Sequence, residues 1–271
     1  MTQHRRRLML PEAPARTYVV GDVHGCLDLF DALEARIGVH AAGDGPALLV
    51  LVGDLVDRGP NSAGVLDRMQ EAPPPGLHRL ALAGNHEAMF LDFLDHPRGD
   101  APWLFHGGAE TLGSYGLRPD PLRGYNLPTR QLGHMVQATV PESHRLFLET
   151  MPVSLRLPGY LICHAGLNPA RPLAQQTDQD LMWSDPGALD LAPDAAPAIA
   201  DMTAHGLKMV HGHVPQFRIG LHDRRIAVDT GVYGSGVLSA VCLRPGHPPE
   251  ILQVARGASS ARSSAAWARS A

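Results

Sequence analysis

The chain has 271 residues, 44% of them hydrophobic, with 23 Lys and Arg against 27 Asp and Glu and a formal net charge of −4. That length suits one large domain with a sizeable core, and the charge balance lacks the basic footprint of a nucleic-acid binder, so no nucleic-acid partner is expected. Cys26, Cys163 and Cys242 stand far apart with no CxxC spacing, which argues against a disulfide framework or zinc finger and fits small buried thiols in a reducing compartment.

Arg5-Arg6-Arg7 precede Leu8-Met9-Leu10 and Pro11. This apolar run is too short for a signal peptide, and no stretch approaches a membrane span. A cytoplasmic protein with no membrane partner is expected, with residues 1–16 as an N-terminal extension whose arginines are solvated. Thr17 to Val20 reads as a strand stopping at Gly21, and Leu27 to Ile37 as an amphipathic helix. The continuous apolar run Ala47 to Val52 reads as a strand buried on both faces. Ser62 is the expected cap of a helix reaching Met69. Pro73-Pro74-Pro75-Gly76 is a break, Leu77 to Ala83 a third strand, and His86 to Leu94 a helix. Strand, loop and helix in repetition predict an α/β sheet.

Residues 97–150 predict a mostly helical insert forming one wall of a site, helical again from Pro141 to Met151. Val153 to Leu157, Tyr160 to Cys163, Lys208 to Val210, Ile226 to Val228, Val237 to Leu243 and Ile251 to Val254 are short strands that predict a second sheet. The fold expected is an α/β sandwich of two sheets with helices outside, one catalytic domain over residues 17–254. Leu189 to Ala200 is expected to be a surface loop, and 255–271, rich in Ala, Ser, Arg and Gly, a disordered tail.

Five motifs fall where strands end: Gly21-Asp22-Val23-His24-Gly25, Gly53-Asp54-Leu55-Val56-Asp57-Arg58-Gly59, Gly84-Asn85-His86-Glu87, His164-Ala165-Gly166 and His211-Gly212-His213. Ligands of α/β sheets gather outside the carboxyl ends of strands. Asp22 and His24, alternating in an extended loop, would face one cation. Asp54, with two oxygens, would bridge two cations. Asn85 adds a hard neutral oxygen, and His164 and His213 add nitrogens from strand ends. Metal one would take Asp22, His24 and Asp54; metal two would take Asp54, Asn85, His164 and His213. Their separation would be roughly 3.5–4 Å. Water between two such cations would ionise near neutral pH and serve as nucleophile toward a phosphate. Arg58 presents a fork for phosphate oxygens. His86 would donate a proton to the leaving alkoxide, held protonated and aimed by Asp57, while Glu87 holds the loop. With 15 histidines in the chain, His106, His134, His144, His205 and His222 are read as solvated or packed, and His211 as pointing away from His213.

With GDVHG, GDLVDRG, GNHE, HAG and HGH in this order, the sequence resembles the calcineurin-like metallophosphoesterases over about Thr17 to Leu243, and within them the bacterial and bacteriophage phosphoprotein phosphatases. Asp180 to Asp185 and Val228 to Gly231 strengthen the likeness. The resemblance implies a four-layered sandwich of two mixed β-sheets flanked by helices. It also implies two metal ions, often manganese, and hydrolysis of phosphate monoesters, commonly on phosphoserine or phosphothreonine. Partners would be a phosphorylated protein or a small phosphoester. Iron or zinc would suit the same ligands. The family's arginine before GNHE is replaced by Ala83, with Arg171, Arg218 and Arg224 as candidate substitutes. Alternative readings are a bis(5'-nucleosyl)-tetraphosphatase, a phosphotyrosine-directed or broad-specificity phosphatase, and, from another class, a non-catalytic binding protein.

Overall fold

Strand periodicity of two decides the architecture, because each buried strand must satisfy two different faces. The computed structural model describes residues 4–43, 45–118 and 127–257. One sheet has the order β11-β10-β2-β3-β4, with β2 (Arg16–Val20), β3 (Ala47–Leu51) and β4 (Leu77–Ala81) mutually parallel and β10 (Val237–Leu243) antiparallel to both of its neighbours, β2 and β11 (Glu250–Ala255). The other has the order β1-β5-β6-β7-β9-β8, built from β1 (Arg7–Met9), β5 (Ser154–Leu157), β6 (Tyr160–Cys163), β7 (Lys208–His211), β8 (Gly220–Leu221) and β9 (Arg225–Ala227). Here β6, β7 and β9 are parallel.

Val19, Val50 and Val241 of the first sheet share one buried cluster with Leu155, Ile162, Val210 and Ile226 of the second. Their neighbours Tyr18, Val20, Leu49 and Leu51 turn the other way, into a cluster with α1 (Leu27–Ala41), α2 (Ser62–Gln70) and α3 (Asn85–Asp95). Leu161, Cys163 and Met209 likewise face outward, with α7 (Asp178–Trp183) and α9 (Pro197–Ala204) contributing Leu181, Ile199 and Met202 to that cluster. The layers therefore run helix, sheet, sheet, helix. Each fully buried Val or Leu contributes about 1.5–3 kcal/mol relative to exposure. An Asp in place of Val50 would put a charge between the sheets. All three cysteines are free and buried.

Between the sheets in sequence lies helical chain: a π-type turn at Leu104–Gly108, α4 (Ala109–Ser114), α5 (Thr129–Thr139) and α6 (Glu142–Thr150). Four local expectations change. The cap of α2 is Asn61, whose Oδ1 accepts from the N–H of Gly64 at 3.0 Å, and Ser62 turns inward. The N-terminal arginines are not simply solvated. Arg7 starts edge strand β1 beside Ser154, and Arg5 donates to the carbonyls of Leu148 (2.8 Å) and Met151 (3.0 Å). Residues 189–200, expected as a loop, hold most of α8 (Ala188–Leu191) and the start of α9, which has Pro197 at its first turn and buries Ala198 and Ile199. Of the expected tail, Ala255 ends β11 and Arg256 pairs with Asp28 at 3.1 Å; residues 258–271 lie outside the described residues. Among the described residues no helix is long and apolar enough to cross a membrane.

Candidate active site

The carboxyl ends of β2, β3 and β4 in one sheet and of β6 and β7 in the other deliver the five motifs. Backbone has to crowd there. A Cβ on Gly84 would collide with Asp54 Oδ1, and one on Gly212 with Asp22 Oδ1, so glycine lets both carboxylates press against main chain. Five non-glycine residues among those described have positive φ: His24 (42°), Asp54 (50°), Asp57 (74°), Arg58 (66°) and His213 (69°). All belong to the motifs. Such conformations cost about 1–3 kcal/mol each and persist only where surrounding structure imposes them. His24 thus reaches the site from a left-handed turn, not from the extended loop expected.

Two groups of side chains meet at Asp54. Its Oδ2 lies 3.6 Å from His24 Nε2 and 3.8 Å from His86 Nε2. Its Oδ1 lies 3.3 Å from His164 Nε2. Asn85 Oδ1 sits 2.8 Å from His164 Nε2 and 3.1 Å from His213 Nδ1, and those two nitrogens are 3.2 Å apart. Within each of the sets His24, Asp54, His86 and Asp54, His164, His213, the ligand-type atoms all lie within 4.8 Å of one another. Asp22 stands at the flank and belongs to neither set; its carboxylate accepts the N–H of His213 (3.1 Å to Oδ2). His24 Nδ1 donates to the Val56 carbonyl at 2.8 Å, which leaves Nε2 bare toward Asp54. His211 is turned away, toward Arg225 at 3.1 Å.

This donor set fits cations. Asp22, Asp54 and Asp229 are buried, and burial raises all three, Asp54 and Asp229 to about 6. Arg58 opposes this rise at all three, behind His86 at Asp54. One guanidinium is a small counterweight to three acids, which is the environment a divalent ion would relieve. Burial lowers His24, and lowers His164 and His213 to about 3. These imidazoles are therefore neutral, the form that ligates metal.

Asp57 Oδ2 accepts from His86 Nδ1 at 2.6 Å, and Arg58 Nη2 donates to His86 Nε2 at 3.2 Å. Arg58 also lies over the Tyr233 ring, 4.7 Å from its centroid. His86 is aimed as expected, but burial lowers its proton affinity instead of holding it protonated. Glu87 is buried and accepts four backbone N–H groups, from Gly84, Asp54, Leu55 and Val56. The candidate replacement arginines are elsewhere: Arg171 pairs with Asp180, Arg224 with Asp194 and two carbonyls, and Arg218 is exposed beyond His213. From sequence, Ser62 has only a capping role, and Trp103, Thr111 and Tyr233 have no role at the site. Asp229 was visible only as part of a familiar stretch.

The calcineurin-like phosphoesterase family matches residues 15–238. The chain belongs to that family, and its fold, clusters and motif order agree. It is 41% identical over 91 residues to serine/threonine-protein phosphatase 1 of Salmonella typhimurium, a match spanning 34% of this chain and 38% of that protein. It is 27% identical over 233 residues to an asymmetrical bis(5'-nucleosyl)-tetraphosphatase of Bacillus velezensis, covering 80% of this chain and 85% of that one. A solved structure given provisionally as a diadenosine tetraphosphatase shares the fold with a TM-score of 0.62 and 22% identity, covering 94% of this chain and all of that one. This chain is thus a phosphoesterase hydrolase by family.

Proposed function

We propose that the chain hydrolyses phosphate monoesters and that its substrate class is phosphorylated serine or threonine in proteins. Asp22, His24, Asp54, Asn85, His164 and His213 would hold two divalent cations, manganese first among the candidates. Such ions supply Lewis-acid charge at phosphate oxygens and lower the pKa of water. The observation that carries the reading is the string Arg58, His86, Asp57 running beside Asp54, with contacts of 3.2 and 2.6 Å.

In this reading Arg58, half-buried and bonded through one nitrogen to His86, turns its fork onto phosphate oxygens. The negative charge arriving there raises the proton affinity of His86, offsetting the burial that lowers it. His86, aimed through Nδ1 by Asp57, then gives a proton from Nε2 to the departing alkoxide. Ala83, buried, offers no second cation, so Arg58 is the side chain left to grip phosphate, beside the ions that the six ligands would hold.

A second reading has support of its own. One similarity spanning 80% of the chain is to a dinucleoside tetraphosphatase, whose substrate has phosphoanhydride bonds. Turnover of a phosphoserine peptide against diadenosine tetraphosphate, with added manganese, separates the two. Higher kcat/KM on the peptide supports the first reading. Higher kcat/KM on the dinucleotide replaces it with the second.

A further inference from the structure

We propose that Trp103 and Thr111, on the first limb of the helical insert, are positioning residues that lock the Asp57 carboxylate for its work on His86. Asp57 has no solvent contact. Its Oδ2 receives two donors, His86 Nδ1 at 2.6 Å and Trp103 Nε1 at 2.7 Å. Its Oδ1 receives the Thr111 hydroxyl at 2.7 Å, and that same hydroxyl accepts the N–H of Asp57 at 2.8 Å. Ser62 Oγ, 2.9 Å from the Thr111 hydroxyl, accepts the same N–H at 3.0 Å. Both carboxylate oxygens and the backbone of Asp57 are thereby fixed, although its φ of 74° is one a free chain avoids. The carboxylate cannot rotate without giving up a bond to the insert.

The insert is shaped for this grip. Trp103 stacks on Phe90 (centroids 5.0 Å apart, planes 12° apart) and touches Phe93. Gly108 leaves room for the indole, since a Cβ there would strike the ring. Gly107, at φ 106°, takes the N–H of Arg58 on its carbonyl at 3.2 Å. Trp103, Gly107 and Thr111 therefore hold Asp57 and Arg58 together, by bonds that end on those two residues and not on the six proposed metal ligands. Their removal should disturb proton donation, not the metal site.

This inference rests on His86 being the acid of the proposed reaction, and the test separates the two. Trp103→Phe keeps the stack and deletes the donor, and Thr111→Val keeps the shape and deletes the hydroxyl. Both are compared with His86→Asn and wild type on p-nitrophenyl phosphate, whose leaving group needs no proton, and on phenyl phosphate, whose leaving group does. Thermal melting and manganese binding are measured on each. The expected result is that His86→Asn loses far more kcat on phenyl phosphate than on p-nitrophenyl phosphate. Trp103→Phe and Thr111→Val should show the same selectivity, on the order of tenfold on phenyl phosphate, with KM and manganese affinity unchanged. If His86→Asn is selective while both insert variants lose equally on the two substrates, or lose only melting temperature, the positioning role is overturned and the acid stands. If His86→Asn itself loses equally on both, the acid reading falls and the inference falls with it.

Discussion

Replacing Glu87 with glutamine removes a charge from the point where the Asp54 loop is tied to α3. Glu87 Oε2 accepts from Gly84 and Asp54, each at 2.8 Å; Oε1 accepts from Leu55 at 2.7 Å and Val56 at 3.3 Å. Glutamine offers one oxygen and one NH2. Whichever way the amide lies, one pair of buried N–H donors faces another donor. Two orphaned donors at ~1–3 kcal/mol each give a loss of ~2–6 kcal/mol, a large share of the ~5–15 kcal/mol that holds a native fold. Burial, with Asp54 adding to it, pushes Glu87 up to about 7 against the pull of those N–H groups. Ionisation above that pH costs the wild type stability that glutamine keeps, so at pH 8.5, where both carboxylate oxygens accept, the lower part of the ~2–6 kcal/mol loss is expected. Urea unfolding at that pH should show the midpoint falling with the slope unchanged. kcat on p-nitrophenyl phosphate should fall as well, because Asp54, Asp57 and Arg58 ride on the loop. A Glu87→Gln protein within ~0.5 kcal/mol of wild type, the range of an ordinary surface substitution, would refute this account of the loop.

Manganese binding should release protons in slightly acid solution. Asp54 is held up to about 6 by burial, so below that pH the ion must displace its proton and affinity falls, whereas His164 and His213, lowered to about 3, are already bare; titration calorimetry should find manganese bound more weakly at pH 5.5 than at pH 7.5. An affinity unchanged between the two would contradict it. Gly107→Ala would place a Cβ against the Arg58 backbone at a φ of 106°, and a displacement of that loop should lower kcat/KM on the order of a hundredfold; near-normal turnover would show the insert contact to be dispensable. Arg58→Lys swaps the planar fork for a point charge, so KM for p-nitrophenyl phosphate should rise about tenfold or more, with an unchanged KM counting against the phosphate role.

Much of the site was legible because its residues sit in short motifs at strand ends, where Gly21, Gly53, Gly84 and Gly212 mark the turn from sheet to loop. Parallel strands in each sheet then bring those ends together. The local geometry was not legible. His24 and His213 adopt positive φ that nothing in an Asp-x-His or His-x-His spacing announces. Trp103 and Thr111 reach Asp57 across 46 and 54 residues, a contact made by docking of the insert and not by any local pattern. Strand β1 escaped notice because three residues carry no period and their partner β5 lies far along the chain. Helices α8 and α9 were hidden by composition. Pro197 and the alanines read as loop, although Ala198, Ile199 and Met202 are spaced to bury one helical face.

The account depends most on Asp54 joining two groups of ligands, His24 on one oxygen and His164 on the other. Chelator-stripped protein titrated with manganese should bind two ions per chain, and the Asp54→Asn variant should bind one or none and lose its turnover of p-nitrophenyl phosphate. One ion per chain in the wild type, or two in the variant with turnover intact, would contradict the proposed centre.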